Sequence, residues 1–426
     1  MFKRVLDYIN SVLLRPLAKL IVNAQSLRQR WKTLGQSPQV HCEADYDGRR
    51  IMLLALYQKG QLRPDVERLF KAARKEGLYI VAVNTLRLAD PSSVEGLIDC
   101  YIERPNFGRD FGSYKTGFLH VFNRGWHQKC PRLLMVNDSV YFSEERMGTF
   151  LSEMMNSEIE ALGATENYEI EFHLGSFCIA MGQPVLQKKA FQNYWHSYRL
   201  SDVRPKVIKR GEMQLSKTLK RCVSAPSQFR SLYSSAHYMR RLNEDPELMN
   251  ISIRNARTSN LLHWERVNAT GIVTFLKKNF FLSPYDEDLA TVGQDIRVEA
   301  SIKELNALYA VQDAEGIKTI LRHLLNDEAV LHESLLDDTI KSNLVQVFMS
   351  GSQIHQNAAI LLHLGLPIIK LDGLYRGMFN TYDIQRLSKL IAPQEALELQ
   401  NLLMERPFGG ATLIGWKRAA FIVGLI

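Results

Sequence analysis

Two polar clusters between residues 103 and 142 carry the side chains best suited to chemistry. The first holds Asn106, Gly108, Arg109, Asp110, Gly112 and Ser113, and the second, Asn137, Asp138 and Ser139, follows directly on the apolar run 133–136. Glycines permit close backbone approach, and Arg109 beside Asp110 puts a cation and an anion at a loop-to-helix transition. That pairing suits a diphosphate and a sugar hydroxyl, with Arg109 forking onto phosphate oxygens and Asp110 accepting from the hydroxyl. The same residues also suit a plain helix start, with Asp110 or Ser113 as the cap and Arg109 in a structural ion pair. Asp138 leaves the end of a buried strand, where it either faces a ligand or caps the helix that follows Phe142.

Further along, His173 precedes Gly175 and Ser176, and Glu212 follows Gly211 in a strongly basic stretch with Lys206, Lys209, Arg210, Lys217, Lys220 and Arg221. A carboxylate at a helix start can serve as a general base, or can simply interact with the helix dipole. A lone histidine is open to a structural or a ligand role. Phe191, Tyr194, Trp195 and Tyr198 recur at helical spacing and read as core.

These residues need elements to hold them. The apolar run 51–57 reads as a strand buried on both faces, and Leu62, Val66, Leu69, Phe70 and Ala73 follow at helical spacing, with Pro64 in the first turn. Residues 78–84 form a second buried strand, and a shorter one lies at Cys100. Strands alternating with helices predict an α/β unit with parallel strands and helical crossovers, whose ligands sit at carboxyl-terminal strand ends and helix starts. Beyond Pro284 the helical spacing of Ile317, Ile320, Leu321 and Leu324, and of Ala396, Leu399, Leu402 and Leu403, predicts an all-helical region. The expected division is residues 1–40, a basic amphipathic helix; 41–285, the α/β unit; and 286–426, the helical region.

Composition narrows the class. With 426 residues, 46% hydrophobic and 23% charged, the chain exceeds one ordinary core. The formal charge of +8 is concentrated at the start, where Lys3, Arg4, Arg15, Lys19, Arg28, Arg30 and Lys32 face a single acid, Asp7. No nucleic-acid-binding motif accompanies that charge, so a nucleic-acid partner is not expected. Arg15 and Lys19 interrupt the apolar spacing of Phe2, Val5, Leu6, Ile9, Val12 and Leu13 well short of a membrane span, and no cleavage site follows. The segment suits either an anionic membrane surface or the protein's own body. The scattered Cys42, Cys100, Cys130, Cys178 and Cys222 suggest free thiols in a reducing compartment.

The pattern Asn-x-Gly-Arg-Asp-x-Gly-Ser-Tyr-Lys from Asn106, then LLMVNDSVYF from Leu133, then HLGSFCIAM from His173, resembles the rhamnan synthesis protein F family of glycosyltransferases over residues 50–285. The resemblance implies a GT-A-like, Rossmann-type sheet, parallel or mixed, flanked by helices, with a nucleotide-sugar across the strand ends. It implies inverting transfer of a deoxysugar, from dTDP-rhamnose, to a cell-surface polysaccharide or lipid-linked glycan at the cytoplasmic face of the membrane. Glu212 would be the general base and Asp110 a second catalytic carboxylate, accepting from a hydroxyl. Asn106, Gly108, Arg109, Asn137, Asp138, Ser139, His173 and Tyr57 would contact the donor. Asp138 stands where many such enzymes carry an Asp-x-Asp for Mg²⁺ or Mn²⁺, and a single acid leaves metal dependence open. Two departures matter: Tyr57-Gln58-Lys59 replaces a His-Tyr-Asp, and Gly175 replaces the amide of a His-Leu-Gln-Ser. Both keep open a catalytically silent relative that binds glycan or organises a polysaccharide-assembly complex.

Overall fold

A computed structural model describes residues 15–255, 313–324 and 333–426. Residues 256–285 of the family-like span, the apolar residues of 1–14 and the expected boundary at residue 285 lie outside the described residues.

An eight-stranded mixed sheet organises the chain. In chain order the strands that matter are β1 (Gln39–Glu43), β2 (Ile51–Leu56), β3 (Tyr79–Asn84), β4 (Cys100–Glu103), β5 (Arg132–Asn137), β6 (Val140–Phe142), β7 (Ala161–Gly163), β8 (Glu166–Asn167), β9 (His173–Leu174), β10 (Cys178–Gly182), β11 (Phe229–Ser231) and β12 (Ile368–Lys370). The large sheet runs β1-β4-β3-β2-β5-β10-β7-β11. Its centre, β4-β3-β2-β5, is parallel as the buried apolar runs predict, while β1 and β10 pair antiparallel. The order reverses between β2 and β5. That topological switch point is where open α/β sheets form a crevice.

Alternation along the central strands fills both faces. Met52, Leu54 and Leu56 join one core, under helices α2 (Pro64–Lys75) and α4 (Met147–Asn156); Ile51, Leu53 and Ala55 join the other, under α3 (Arg109–Asn123), α5 (Lys189–Ser197) and α6 (Gln214–Cys222). Each fully buried leucine or isoleucine stabilises by about 1.5–3 kcal/mol, so the doubly covered sheet holds the site rigidly. Phe191, Tyr194, Trp195 and Tyr198 are all buried core, as their spacing predicts.

The carboxyl-terminal region is helical but not wholly so. After Pro367, the apolar pair Ile368 and Ile369 forms β12, which pairs antiparallel with β6 immediately beyond Asn137-Asp138-Ser139. Leu336, Ile340, Leu344, Phe348, Leu361 and Leu399 belong to the same core as Met52 and Leu54. Glu395 accepts from Ser143 Oγ at 3.0 Å and from the Glu144 amide at 2.7 Å, and Arg68 pairs with Glu398 at 2.6 Å. The region is thus welded to the sheet by a strand, a core and buried polar bonds.

Helix α1 (Arg15–Lys32) packs Ala18 and Val22 against Val203, Ala420 and Leu425. Among the described residues no helix is long and apolar enough to cross a membrane.

Candidate active site

The first cluster owes its shape to a residue that motif spacing did not single out. Arg104 is buried, and its guanidinium donates to Ser113 Oγ at 2.8 Å and to the carbonyls of Pro105, Phe107 and Arg109 at 2.8, 2.7 and 2.6 Å. Desolvation pulls it down to about 10, against the carboxylates of Asp110 and Asp202. A Cβ on Gly112 would lie 2.6 Å from this guanidinium, which explains the glycine one residue into the helix from Phe111. Gly108 (φ 99°) and Arg109 (φ 52°) are both left-handed, and the non-glycine residue is strained by about 1–2 kcal/mol. Asp202 holds them there: its Oδ1 accepts from the Gly108 amide at 2.7 Å and its carbonyl from Arg109 Nε at 2.8 Å. The result aims Asp110, in the first turn of α3, inward.

One narrow cleft gathers the chemistry. Asp110, Asn137, His173 and Glu212 all line it, so four of the sequence-predicted residues meet. Asp110 makes no side-chain hydrogen bond or ion pair with the described residues, and desolvation raises its pKa, with Lys370 and Arg109 opposing and Glu212 adding to the rise. Glu212 is in the opposite state. Burial favours its neutral form, but His173, Lys370 and Arg204 outweigh this and hold it below the usual carboxylate range. His173 Nε2 lies 3.7 Å from Glu212 Oε2, an ion pair rather than a hydrogen bond, while Nδ1 meets the Glu171 carbonyl at 2.7 Å. Burial disfavours the imidazolium, yet Glu212 and the Glu171 carbonyl prevail and raise the His173 pKa.

Glu212 is not at a helix start, as its sequence context suggested. Arg204–Val207, the π-helical turn Ile208–Met213 and α6 run on without interruption. The widened turn swings Glu212 into the cleft, a recurrent use of π-bulges. Gly211 makes it fit, since a Cβ there would lie 2.8 Å from the Phe111 ring. Gly175 is similarly constrained: a Cβ would meet Phe177 at 2.8 Å and Thr165 Oγ1 at 3.0 Å, so this wall leaves no room for a side chain.

The remaining predicted residues lie outside the cleft lining. Asn106 is exposed, its carbonyl accepting from Gln29 of α1 at 2.8 Å. Arg109 is turned toward the Asp202 carbonyl. Tyr57 exposes its ring while its amide donates to Asp138 Oδ2 at 2.7 Å. That same oxygen accepts from the Gln58 side chain, and Arg63 donates to the Asp138 carbonyl at 3.0 Å. Asp138 therefore ties β2 to β5 at the switch point. Burial pushes its carboxyl up to about 6, against Arg63, Gln58 and the Tyr57 amide. Ser139 accepts from Lys370 Nζ at 2.7 Å, and its neighbour Asn137 accepts from the Ser139 hydroxyl.

This donor set does not fit Mg²⁺ or Mn²⁺. A hard ion needs several open oxygens, whereas Asp138 is buried, raised in pKa and bonded, and the cleft's acids share their space with Lys370 and Arg204. Among the described residues one Cys/His/carboxylate group is close enough to hold an ion: Glu43, Cys100 and His120, at the β1 edge and away from the cleft. Glu43 is already paired there with His120 at 2.8 Å and Arg124 at 3.0 Å. The five cysteines are free thiols.

Sequence reasoning missed Arg104, Asp202, Arg204, His355 and Lys370. Arg104 stands two residues before the Asn106 motif and offered a signal in its place just before Pro105. Lys370 and His355 offered none, because they come from the carboxyl-terminal region, Lys370 through β12 pairing and His355 beside the bridge between Ser352 and Asn167. A larger cavity of about 600 Å³ lies between α1 and the stretch 203–214, lined by Lys19, Arg199, Lys206, Lys209 and Arg210, and contains none of the candidate acids.

The fold and cleft define a mixed α/β protein with paired carboxylates and cations grouped beyond its strand ends. Residues 78–250 match the family model of Rhamnan synthesis protein F, the family whose motifs the sequence resembles. Asn106 through Glu212 fall within the match; Tyr57, His355 and Lys370 do not. A protein described as uncharacterized, y4gN, of Sinorhizobium fredii is 26% identical over 213 residues, 49% of this chain and 53% of that protein. Virulence protein VirA of Vibrio anguillarum is 30% identical over 100 residues, 23% of this chain and 31% of that protein. The chain thus spans 53% and 31% of the length of these relatives.

Proposed function

We propose that the protein acts in rhamnan or related polysaccharide synthesis as an inverting, GT-A-like glycosyltransferase, using a nucleotide-activated deoxysugar, with dTDP-rhamnose the first donor to test. The observation that carries the reading is the pairing, in one cleft, of an unbonded Asp110 carboxylate of raised pKa with the cationic groups of Lys370 and Arg204. In the transfer, the acceptor hydroxyl oxygen bonds to the anomeric carbon from one face. The bond from that carbon to the diphosphate oxygen breaks on the other, and its electron pair leaves with the diphosphate. Asp110 takes the hydroxyl proton. Glu212, already paired with His173, is the weaker base of the two and orients the imidazole instead. The acceptor in this reading is a growing polysaccharide or a lipid-linked glycan at the inner face of the cell membrane.

A panel of nucleotide-sugars supplied with rhamnan oligosaccharide acceptors, read by release of nucleoside diphosphate and by mass of the product, tests it. Transfer from a deoxysugar donor supports the reading. No release and no thermal stabilisation by any nucleotide, where a ligand at 100 times its Kd would contribute about 2.7 kcal/mol, would leave a silent glycan-binding or scaffold protein.

A further inference from the structure

We infer that Arg204 and Lys370 form the diphosphate-holding wall of the cleft, so that the carboxyl-terminal region, beyond the segment that matches the family, supplies half of the donor site. The inference rests on the transferase reading and names the groups that neutralise its leaving group.

Arg204 is the stronger observation. Its side chain lines the cleft, is half-buried, and makes no hydrogen bond or ion pair with the described residues. A guanidinium presents five donors in a planar fork, and in this half-buried wall the described residues supply none of them with an acceptor, which leaves the fork free to take an anion. Asp372, a carboxyl-terminal acid whose charge acts on Arg204, is committed elsewhere: it accepts from His355 Nε2 at 3.0 Å and from Arg376 Nε at 2.6 Å.

Lys370 is delivered by register. The pairing Ile368↔Phe142, Ile369↔Tyr141, Lys370↔Val140 places it beside the end of β5. There its Nζ gives one proton to Ser139 Oγ at 2.7 Å, and an ammonium keeps two more donors. It faces Asp110, Glu212 and Asp372 electrostatically, a cation among three carboxylates at the mouth of the cleft. Together the two side chains do for a diphosphate what a bridging divalent ion would do elsewhere, and they account for a switch point whose single acid, Asp138, is spent on the Tyr57 amide and the Gln58 side chain.

Isothermal calorimetry of the full chain with inorganic pyrophosphate and with thymidine, uridine and guanosine diphosphates tests this. Arg204→Gln and Lys370→Gln should each weaken diphosphate binding about 10-fold or more, Arg204→Lys should recover part of it, and Lys209→Gln, in the separate basic cavity, should change nothing. Lys370→Gln also cuts the tie to Ser139, so if it unfolds, Arg204→Gln decides, since that side chain holds nothing else in place. Kd values within twofold of the unaltered protein in a folded Arg204→Gln, or no diphosphate binding by the unaltered protein, overturn the inference. Diphosphate binding lost in the variants with no sugar transfer from any donor sinks the transferase reading and leaves the anion site. Transfer that persists with both variants binding normally does the reverse.

Discussion

Asp110 and Glu212 share a cleft but stand in opposite electrostatic states, and the difference is testable one residue at a time. Glu212→Gln removes the anion that holds His173 charged in a buried position. The imidazole pKa, raised in the intact protein, should then fall below its ordinary value, followed by the His173 ring signals in an NMR pH titration. An unmoved pKa would mean that Glu212 is not its partner. Asp138 makes a different prediction. Its folded pKa, about 6, lies above the roughly 3.9 of an unfolded aspartate, so between those values the folded state holds a proton that the unfolded state has released. The Asp138 contribution to stability is therefore greatest below pH 4 and declines as pH rises to 6. Asp138→Asn should flatten that part of the Tm-against-pH curve, and an unaltered slope would show that the carboxyl stays ionised.

Elements place these residues, and glycines decide how closely. A Cβ on Gly117 would lie 2.2 Å from Leu53 Cδ1, in the core between α3 and β2. Gly117→Ala should therefore lower unfolding free energy in urea by about 1–3 kcal/mol, as overpacking does. A neutral result would mean that α3 can lift off the sheet. This contact also shows what the sequence made legible. The buried runs of β2, β3 and β5, the helix after Pro64, and the Asp110, Asn137, His173 and Glu212 positions all follow from periodicity or motif. The antiparallel strands β1 and β10 and the mid-helix place of Glu212 do not, because pairing direction and a π-bulge are set by tertiary packing. Strand β12 was hidden for the same reason. Three apolar and basic residues after a proline look like a loop until β6 is present to pair with them.

At the scale of the molecule, helix α1 meets the carboxyl-terminal residues Ala420 and Leu425 and braces the site. Helix α1 touches the cleft's supporting loops through Gln29 to Asn106, and its Ser26 hydroxyl accepts from the Asp202 amide at 3.3 Å. While one face of α1 packs on the body, another exposes Leu17, Leu20 (68%), Leu27 and Trp31 (74%), spaced at helical intervals and interleaved with Lys19, Arg28, Arg30 and Lys32, and Leu34 is exposed in the turn that follows. Ile414 (83%) and Ile422 (60%) are exposed at the adjoining carboxyl terminus. Such a stripe suits an anionic lipid surface, where each basic side chain contributes about 1 kcal/mol. Sedimentation with anionic but not neutral vesicles, weakened by salt and lost in Leu20→Glu/Trp31→Glu at unchanged Tm, is the expected outcome. Protein remaining in the supernatant at low salt would instead favour a soluble acceptor.

The central claim is that Asp110 takes the proton in a sugar transfer, and the comparison of Asp110→Asn with the unaltered protein measures it most directly. Because this carboxylate holds no other residue in place and burial disfavours its charge, the variant should fold with a Tm no lower than that of the unaltered protein and bind nucleoside diphosphate at least as well. Its turnover of the donor should fall by roughly 10²-fold or more, and the acid limb of the unaltered protein's rate profile should lie above the ordinary carboxylate range, where the raised pKa of Asp110 puts it. Turnover in Asp110→Asn equal to that of the unaltered protein would contradict the account.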